Sequence, residues 1–184
     1  MALILASASP HRRELLSLIT KDFTVETSQV DEAAITAPTP AKLAQALADA
    51  KCRAVAAQHP EDIVIGCDTV VDYAGRVFGK PKDHEDALRM LRALSGAQHH
   101  VHTGVCISDG ARTESFVDSC RVTFFPLGEE EIDFYASTAE PYDKAGAYAI
   151  QGRAALWLDR IEGDYYTIMG LPVSRTVQLL AHFM

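Results

Sequence analysis

The stretch LILASASPHRRELLSLI (residues 3–19) decides how the rest of the chain is read. An apolar run ends in Ser7-Ala8-Ser9-Pro10, and a helical pattern follows at once. A short apolar run bounded by turn residues reads as a buried strand, here residues 2–6. Ser9 suits a helix N-cap and Pro10 the first helical position. A helix is therefore predicted over 10–19, with Leu15, Leu16, Leu18 and Ile19 packed inward. A helix N-terminus carries partial positive charge and favours Asp or Glu. This one carries His11, Arg12 and Arg13 instead. A strand, a serine-containing turn and a helix start make a phosphate cradle, with backbone N–H groups aimed at the anion and an arginine as forked donor. One arginine is expected to face the cradle and the other to be solvated. The alternative is a surface helix with an unfavourable first turn, costing about 0.3 kcal/mol. No G-x-x-x-x-G-K-[ST] loop occurs, which excludes a P-loop protein.

Outward from this stretch, helical and strand-like segments alternate. Residues 23–28 read as a second strand. Residues 39–58 read as a helix on Leu43, Leu47, Ala50, Ala54 and Ala57. Residues 62–73 (DIVIGCDTVVDY) are a long β-rich run, turned by Ala74-Gly75 into residues 76–79. A helix over 83–96 ends at Gly96. Residues 100–108 and 113–125 form a hairpin about Asp109-Gly110. Residues 128–137 form a short helix whose first turn is acidic, as the dipole favours. Residues 147–170 read as strand and loop, and 172–183 as a closing helix. The pattern predicts one mixed α/β sheet in a single domain over 1–184.

The chain has 184 residues, 48% hydrophobic and 23% charged, the composition of a globular domain with a full core. Its net charge of −8 argues against general duplex binding, so no direct nucleic-acid partner is expected and any anion site must be a local basic pocket. No segment approaches the roughly 20 apolar residues of a membrane span, and no leader pattern precedes the first strand. The cysteines Cys52, Cys67, Cys106 and Cys120 form no C-x-x-C pair and read as reduced and buried, in a cytoplasmic protein.

Several polar residues stand out. Asp68 interrupts an otherwise buried strand. A buried carboxylate must bind a cation, accept hydrogen bonds or hold a proton. It is a candidate general base or metal ligand; the alternative is a structural Asp bonded to backbone donors. Asp72, four residues on, reads as more exposed. Asp31-Glu32 sit in a loop and could add a second carboxylate for a divalent metal, although most such pairs are solvated. Lys51 borders an apolar helix face and could snorkel or reach a pocket. Lys80 is held between Gly79 and Pro81. Asp143 and Lys144 precede a small-residue stretch that ends at Gln151. That glutamine reads as a buried amide whose C=O and NH₂ could pair with a base edge or tie a loop together. His99, His100 and His102 lack further ligands at zinc spacing and read as structural. Trp157 reads as core.

Together, LASASPHRRELL, VDE (30–32), AKCRAV, GCDTVV, GKP, LSG, DKAGAYAIQG and GDYYTIMGLPVSRT resemble the Maf family of nucleoside triphosphate pyrophosphatases, in order and over nearly the whole chain. The resemblance implies a mixed α/β fold with two lobes around a central cleft, akin to inosine triphosphate pyrophosphatases. It implies hydrolysis of a nucleoside triphosphate to monophosphate and pyrophosphate with a divalent cation (Mg²⁺, Mn²⁺ or Co²⁺). Asp68 matches the family's proton acceptor. Ser7, Ser9 and Arg12 match its phosphate-binding turn. Glu32, Lys51 and Lys80 match other polar cleft positions, with Glu32 and Asp68 as candidate metal ligands. The specificity positions read His11, Thr69 and Gln151. Thr69 and Gln151 match the branch acting on dTTP and UTP, and on modified pyrimidine nucleotides. His11 replaces that branch's Arg, and its ring could stack on a base. The alternatives are the branch resembling 7-methyl-GTP pyrophosphatases, or a regulator of septum formation that acts by binding. A homodimer is the assembly to test.

Overall fold

The computed structural model describes residues 1–184. One seven-stranded sheet runs through the molecule in the order β2-β1-β3-β5-β6-β7, with β4 attached to β3. Its strands are β1 (Leu3–Ala6), β2 (Thr24–Val25), β3 (Ile63–Tyr73), β4 (Arg76–Phe78), β5 (Gln98–Ser108), β6 (Thr113–Phe124) and β7 (Leu158–Glu162). β1 is parallel to β2 and β3, and the other pairings are antiparallel, so the sheet is mixed. The helices are α1 (Pro10–Leu16), α2 (Pro40–Ala56), α3 (His84–Leu94), α4 (Glu129–Ala136), α5 (Tyr165–Met169) and α6 (Val173–Leu180). No helix is long and apolar enough to cross a membrane.

The two largest cores lie at opposite ends of the molecule. At one end, Leu5, Leu15, Leu16, Ile65, Ile107, Leu171 and Leu180 pack α1 and α6 on the sheet. At the other, α3, α4 and the segment 145–157 bury Leu91, Phe124, Tyr135 and Trp157. The long strands β3, β5 and β6 span both ends, and the cleft lies between the two lobes. α2 covers the other sheet face. Gly66 and Gly104 let it sit close: a Cβ on Gly66 would stand 2.5 Å from the Ala48 carbonyl, and one on Gly104 would strike that of Ala44.

The pairing register creates the opening. β1 pairs with β3 only as far as Ala6↔Gly66, and β4 takes the same edge of β3 from Val71↔Phe78. Residues 67–70 of β3 therefore have no strand on that side. The gap lies at the carboxyl end of β1, where open α/β sheets place ligands.

Several local expectations need correction. α1 ends at Leu16, and Leu18 is 63% exposed, because the chain turns away before Leu18 can face the core. β2 holds only Thr24 and Val25 of the predicted 23–28. The buried face of α2 is Ala44, Leu47, Ala48, Cys52, Val55 and Ala56. That is about one residue off the predicted stripe, since the two sheet glycines draw the small residues inward. Residues 147–170 contain the unpredicted α5 and short 3₁₀ turns as well as β7. Asp72 is half-buried: it accepts from the Gly75 N–H at 2.8 Å and contacts His102 at 3.4 Å. All four cysteines are free and buried, and Trp157 is core.

Candidate active site

The cleft between the lobes measures about 800 Å³ and opens on the unpaired edge of β3. His11, Ser7, Ser9, Arg12, Glu32, Lys51, Asp68, Thr69, Lys80 and Gln151 all line it. All the candidate residues thus converge on one space. Successive strand residues face opposite sides of a sheet. Because this edge is open, both Asp68 and Thr69 reach the same cleft, each from its own side.

Asp68 faces α2. Its Oδ1 lies 2.5 Å from Lys51 Nζ, and the same ammonium lies 2.8 Å from Glu32 Oε1. Side-chain exposure is 13% for Lys51, 10% for Asp68 and 57% for Glu32. The inner pair is dry and the outer carboxylate wet. Asp68 Oδ2 has no hydrogen-bond partner in the protein, so one carboxylate oxygen is held and one is left for a ligand. Glu32 opens a 3₁₀ turn capped by Asp31, whose carboxylate accepts from the Ala33 N–H at 3.2 Å.

Thr69 faces α1 and α5. Arg12 donates from Nε to the Gly170 carbonyl at 2.9 Å, from Nη1 to Ser7 Oγ at 3.2 Å and from Nη2 to Thr69 Oγ1 at 2.9 Å. Three of the five guanidinium N–H bonds are thus used, leaving two. Ser9 caps α1 as predicted and accepts from the Arg12 N–H at 3.4 Å. Ser7 Oγ accepts from the Ser9 N–H at 3.3 Å as well as from Arg12. Neither serine spends its own hydroxyl proton on the protein. Arg13 is exposed and outside the cleft, as the reading of one working arginine requires.

From the second lobe, Lys80 is exposed at the rim. Its loop is tied down by the Gly146 N–H, which donates to the Gly79 carbonyl at 3.0 Å. Asp143 and Lys144 also line the cleft, and the Lys144 ammonium at 2.7 Å holds the Asp143 carboxyl below its usual value. Gln151 is exposed at the rim, not buried as its apolar neighbours implied. Those neighbours turn inward while the glutamine points to the opening. Cys67, opposite Val105 in the core, is pushed up to about 12 by burial and stays a neutral thiol. The histidines lie apart: His99 bonds Tyr148 at 2.8 Å and His102 bonds Ser119 at 2.7 Å.

The family profile described as Maf-like protein matches residues 2–183. The chain belongs to the Maf family. Maf relatives named dTTP/UTP pyrophosphatase include that of Geobacillus sp. (strain WCH70), 51% identical over 96% of this chain and 95% of its own. Those of Bacillus cytotoxicus and Symbiobacterium thermophilum are 48% and 49% identical, each over 98% of this chain and 94% and 93% of theirs. Among solved structures, the Ham1 protein of Staphylococcus aureus superposes with a TM-score of 0.53 at 15% identity, covering 99% of both chains. The Ham1 protein of Coxiella burnetii gives 0.52 at 14%, covering 98% of both. This Maf chain thus shares its two-lobed α/β architecture with Ham1 proteins.

Proposed function

We propose that residues 1–184 form one Maf-like domain that hydrolyses dTTP and UTP, and modified pyrimidine nucleotides, to the monophosphate and pyrophosphate in the cytoplasm. The observation that carries this reading is the convergence of a half-free carboxylate, Asp68, and a half-free guanidinium, Arg12, on one cleft at the open edge of β3. The names of the curated relatives support the substrate.

Residues on the α1 side hold the phosphates. Ser7 and Ser9 each have a hydroxyl proton to give, and Arg12 has two N–H bonds. Lys51 and Lys80 add point charges. A water placed at Asp68 Oδ2 gives up its proton there while its oxygen bonds to the α-phosphorus. The bond from that phosphorus to the leaving pyrophosphate breaks, and the cations around the cleft stabilise the charge that develops. His11 from α1 and Gln151 from the other lobe stand at the mouth, where a base would sit. There, an amide that must satisfy both an N–H and a keto oxygen favours uracil or thymine over cytosine. Thr69 is the third specificity position.

A divalent cation suits the donor set. Glu32 and Asp68 already reach one cationic atom, Lys51 Nζ, from two sides. No third His, Cys, Asp or Glu joins them. A pair of carboxylates completed by substrate phosphates and water is how Mg²⁺ is commonly held, and Mn²⁺ or Co²⁺ accept similar ligands. Such an ion would neutralise phosphate charge and polarise the reacting phosphoryl group.

The test is a nucleotide panel with Mg²⁺, Mn²⁺ or Co²⁺, run on wild type and His11→Arg. Release of pyrophosphate from dTTP and UTP is expected from both. Turnover of 7-methyl-GTP with none of dTTP or UTP would overturn the reading.

A further inference from the structure

Thr103 lies behind the cleft on β5, directly opposite Thr69 in the β3–β5 register, and is fully buried. It belongs to a three-bond chain. Thr103 Oγ1 is 2.7 Å from the Thr167 carbonyl oxygen and 2.8 Å from Thr69 Oγ1, and Thr69 Oγ1 is 2.9 Å from Arg12 Nη2. The two ends of this chain have fixed roles. A carbonyl only accepts, and a guanidinium only donates. The two hydroxyls between them then have one arrangement. Thr103 gives its proton to Thr167. Thr69 gives its proton to Thr103. Thr69 oxygen accepts from Arg12. The far end is anchored too, since Thr167 is itself buried and its hydroxyl donates to Asp118 at 3.1 Å.

Thr69 is therefore unlike the serines of the cradle. Ser7 and Ser9 keep protons for an anion. Thr69 has none to give, because its proton points inward to Thr103. We propose that Thr103 is a positioning residue for Arg12. By taking the Thr69 proton, it keeps the Thr69 oxygen an acceptor, and so holds the guanidinium with its two spare N–H bonds toward the phosphates. Without the Thr103 hydroxyl, the Thr69 proton is free to turn toward Arg12, where two donors would oppose each other. This inference rests on reading Arg12 as a phosphate ligand.

Thr103→Val keeps the shape and removes the hydroxyl. Binding of pyrophosphate with Mg²⁺, followed by calorimetry on the intact protein, reads the cradle without any hydrolysis. The expected result is a Kd about 10-fold weaker, the scale of one charge-assisted hydrogen bond, with KM for dTTP rising in parallel and kcat changing less. Thr103→Ser, which restores the hydroxyl, is expected within about 2-fold of wild type. Thr69→Val cuts the same chain one bond nearer the site, so Thr103→Val added to it costs less than about 2-fold more. Should Thr103→Val fail to fold, Thr103→Ala removes the same hydroxyl and is expected to show the same loss. Unchanged pyrophosphate affinity in Thr103→Val, a serine variant as weak as the valine one, or full multiplication of the two losses would each overturn the inference. The two readings fail separately. A wild type that binds pyrophosphate but leaves dTTP and UTP intact refutes the activity. A wild type that turns over dTTP while Thr103→Val matches it in pyrophosphate affinity refutes the positioning role.

Discussion

Asp68 and Thr69 are adjacent in the chain and face opposite sides of one strand, yet their surroundings differ in kind. Asp68 is an anion held at one oxygen by an ammonium that it shares with a wet, exposed glutamate. Thr69 is a neutral hydroxyl with its proton and one lone pair both committed, between a buried threonine and a three-point arginine clamp. The Asp68 side has a free oxygen and a cation that can change partners. The Thr69 side is saturated inside the protein and offers its free donors only through Arg12 and the serines. One face suits proton transfer, and the other suits a fixed grip on charge.

The largest expected effect separates these two roles. Asp68→Asn keeps the shape and removes the proposed base, and is expected to lower kcat about 10²–10⁴-fold. Pyrophosphate affinity, measured by calorimetry, should stay within about 3-fold, because the grip lies on the other face. Equal loss of both would erase the distinction. Next, Lys51→Met leaves two carboxylates facing each other without a cation. Breaking a buried pair this way costs about 3 kcal/mol, read as a lower denaturation midpoint, with kcat/KM falling about 10²-fold. A variant of unchanged stability would show that the Asp68 face is already solvated.

A smaller effect sharpens the comparison from outside the cleft. Burial pushes His99 down to about 4, from 6.5 in an unfolded chain. Between these values the unfolded chain binds the proton and the folded one does not. The His99 contribution is therefore full above pH 6.5 and is lost as pH falls toward 4, by about 3 kcal/mol in all. Urea titrations across this window should show a steeper acid loss for wild type than for His99→Gln, and equal slopes would contradict it. Acid inactivation above pH 4 then has a component that belongs to the second core and to neither face of β3.

The sequence was most legible where the signal is local. Ser9 and Pro10 at the start of α1, Asp68 within an apolar strand, and the acidic first turn of α4 all depend on a few neighbouring residues. The opening itself was not legible. It arises because β1 stops at Ala6 and β4 ends at Phe78, opposite Val71, leaving residues 67–70 bare, and pairing length is a tertiary property. The outward turn of Gln151 is hidden for the same reason: apolar neighbours in sequence do not say which way an irregular segment points. The five-residue α5 is too short to show a period, although Asp164 caps it. Thr103 gave no signal, since a threonine in a strand is an ordinary β-branched residue. Its role needed the register that sets it opposite Thr69.

The central claim is that water attacks the α-phosphorus beside Asp68, with pyrophosphate leaving intact. Hydrolysis of dTTP in ¹⁸O-labelled water, followed by mass spectrometry of both products, tests it most directly. The label is predicted in dTMP and absent from pyrophosphate. Label in pyrophosphate, or release of dTDP and inorganic phosphate, would contradict it.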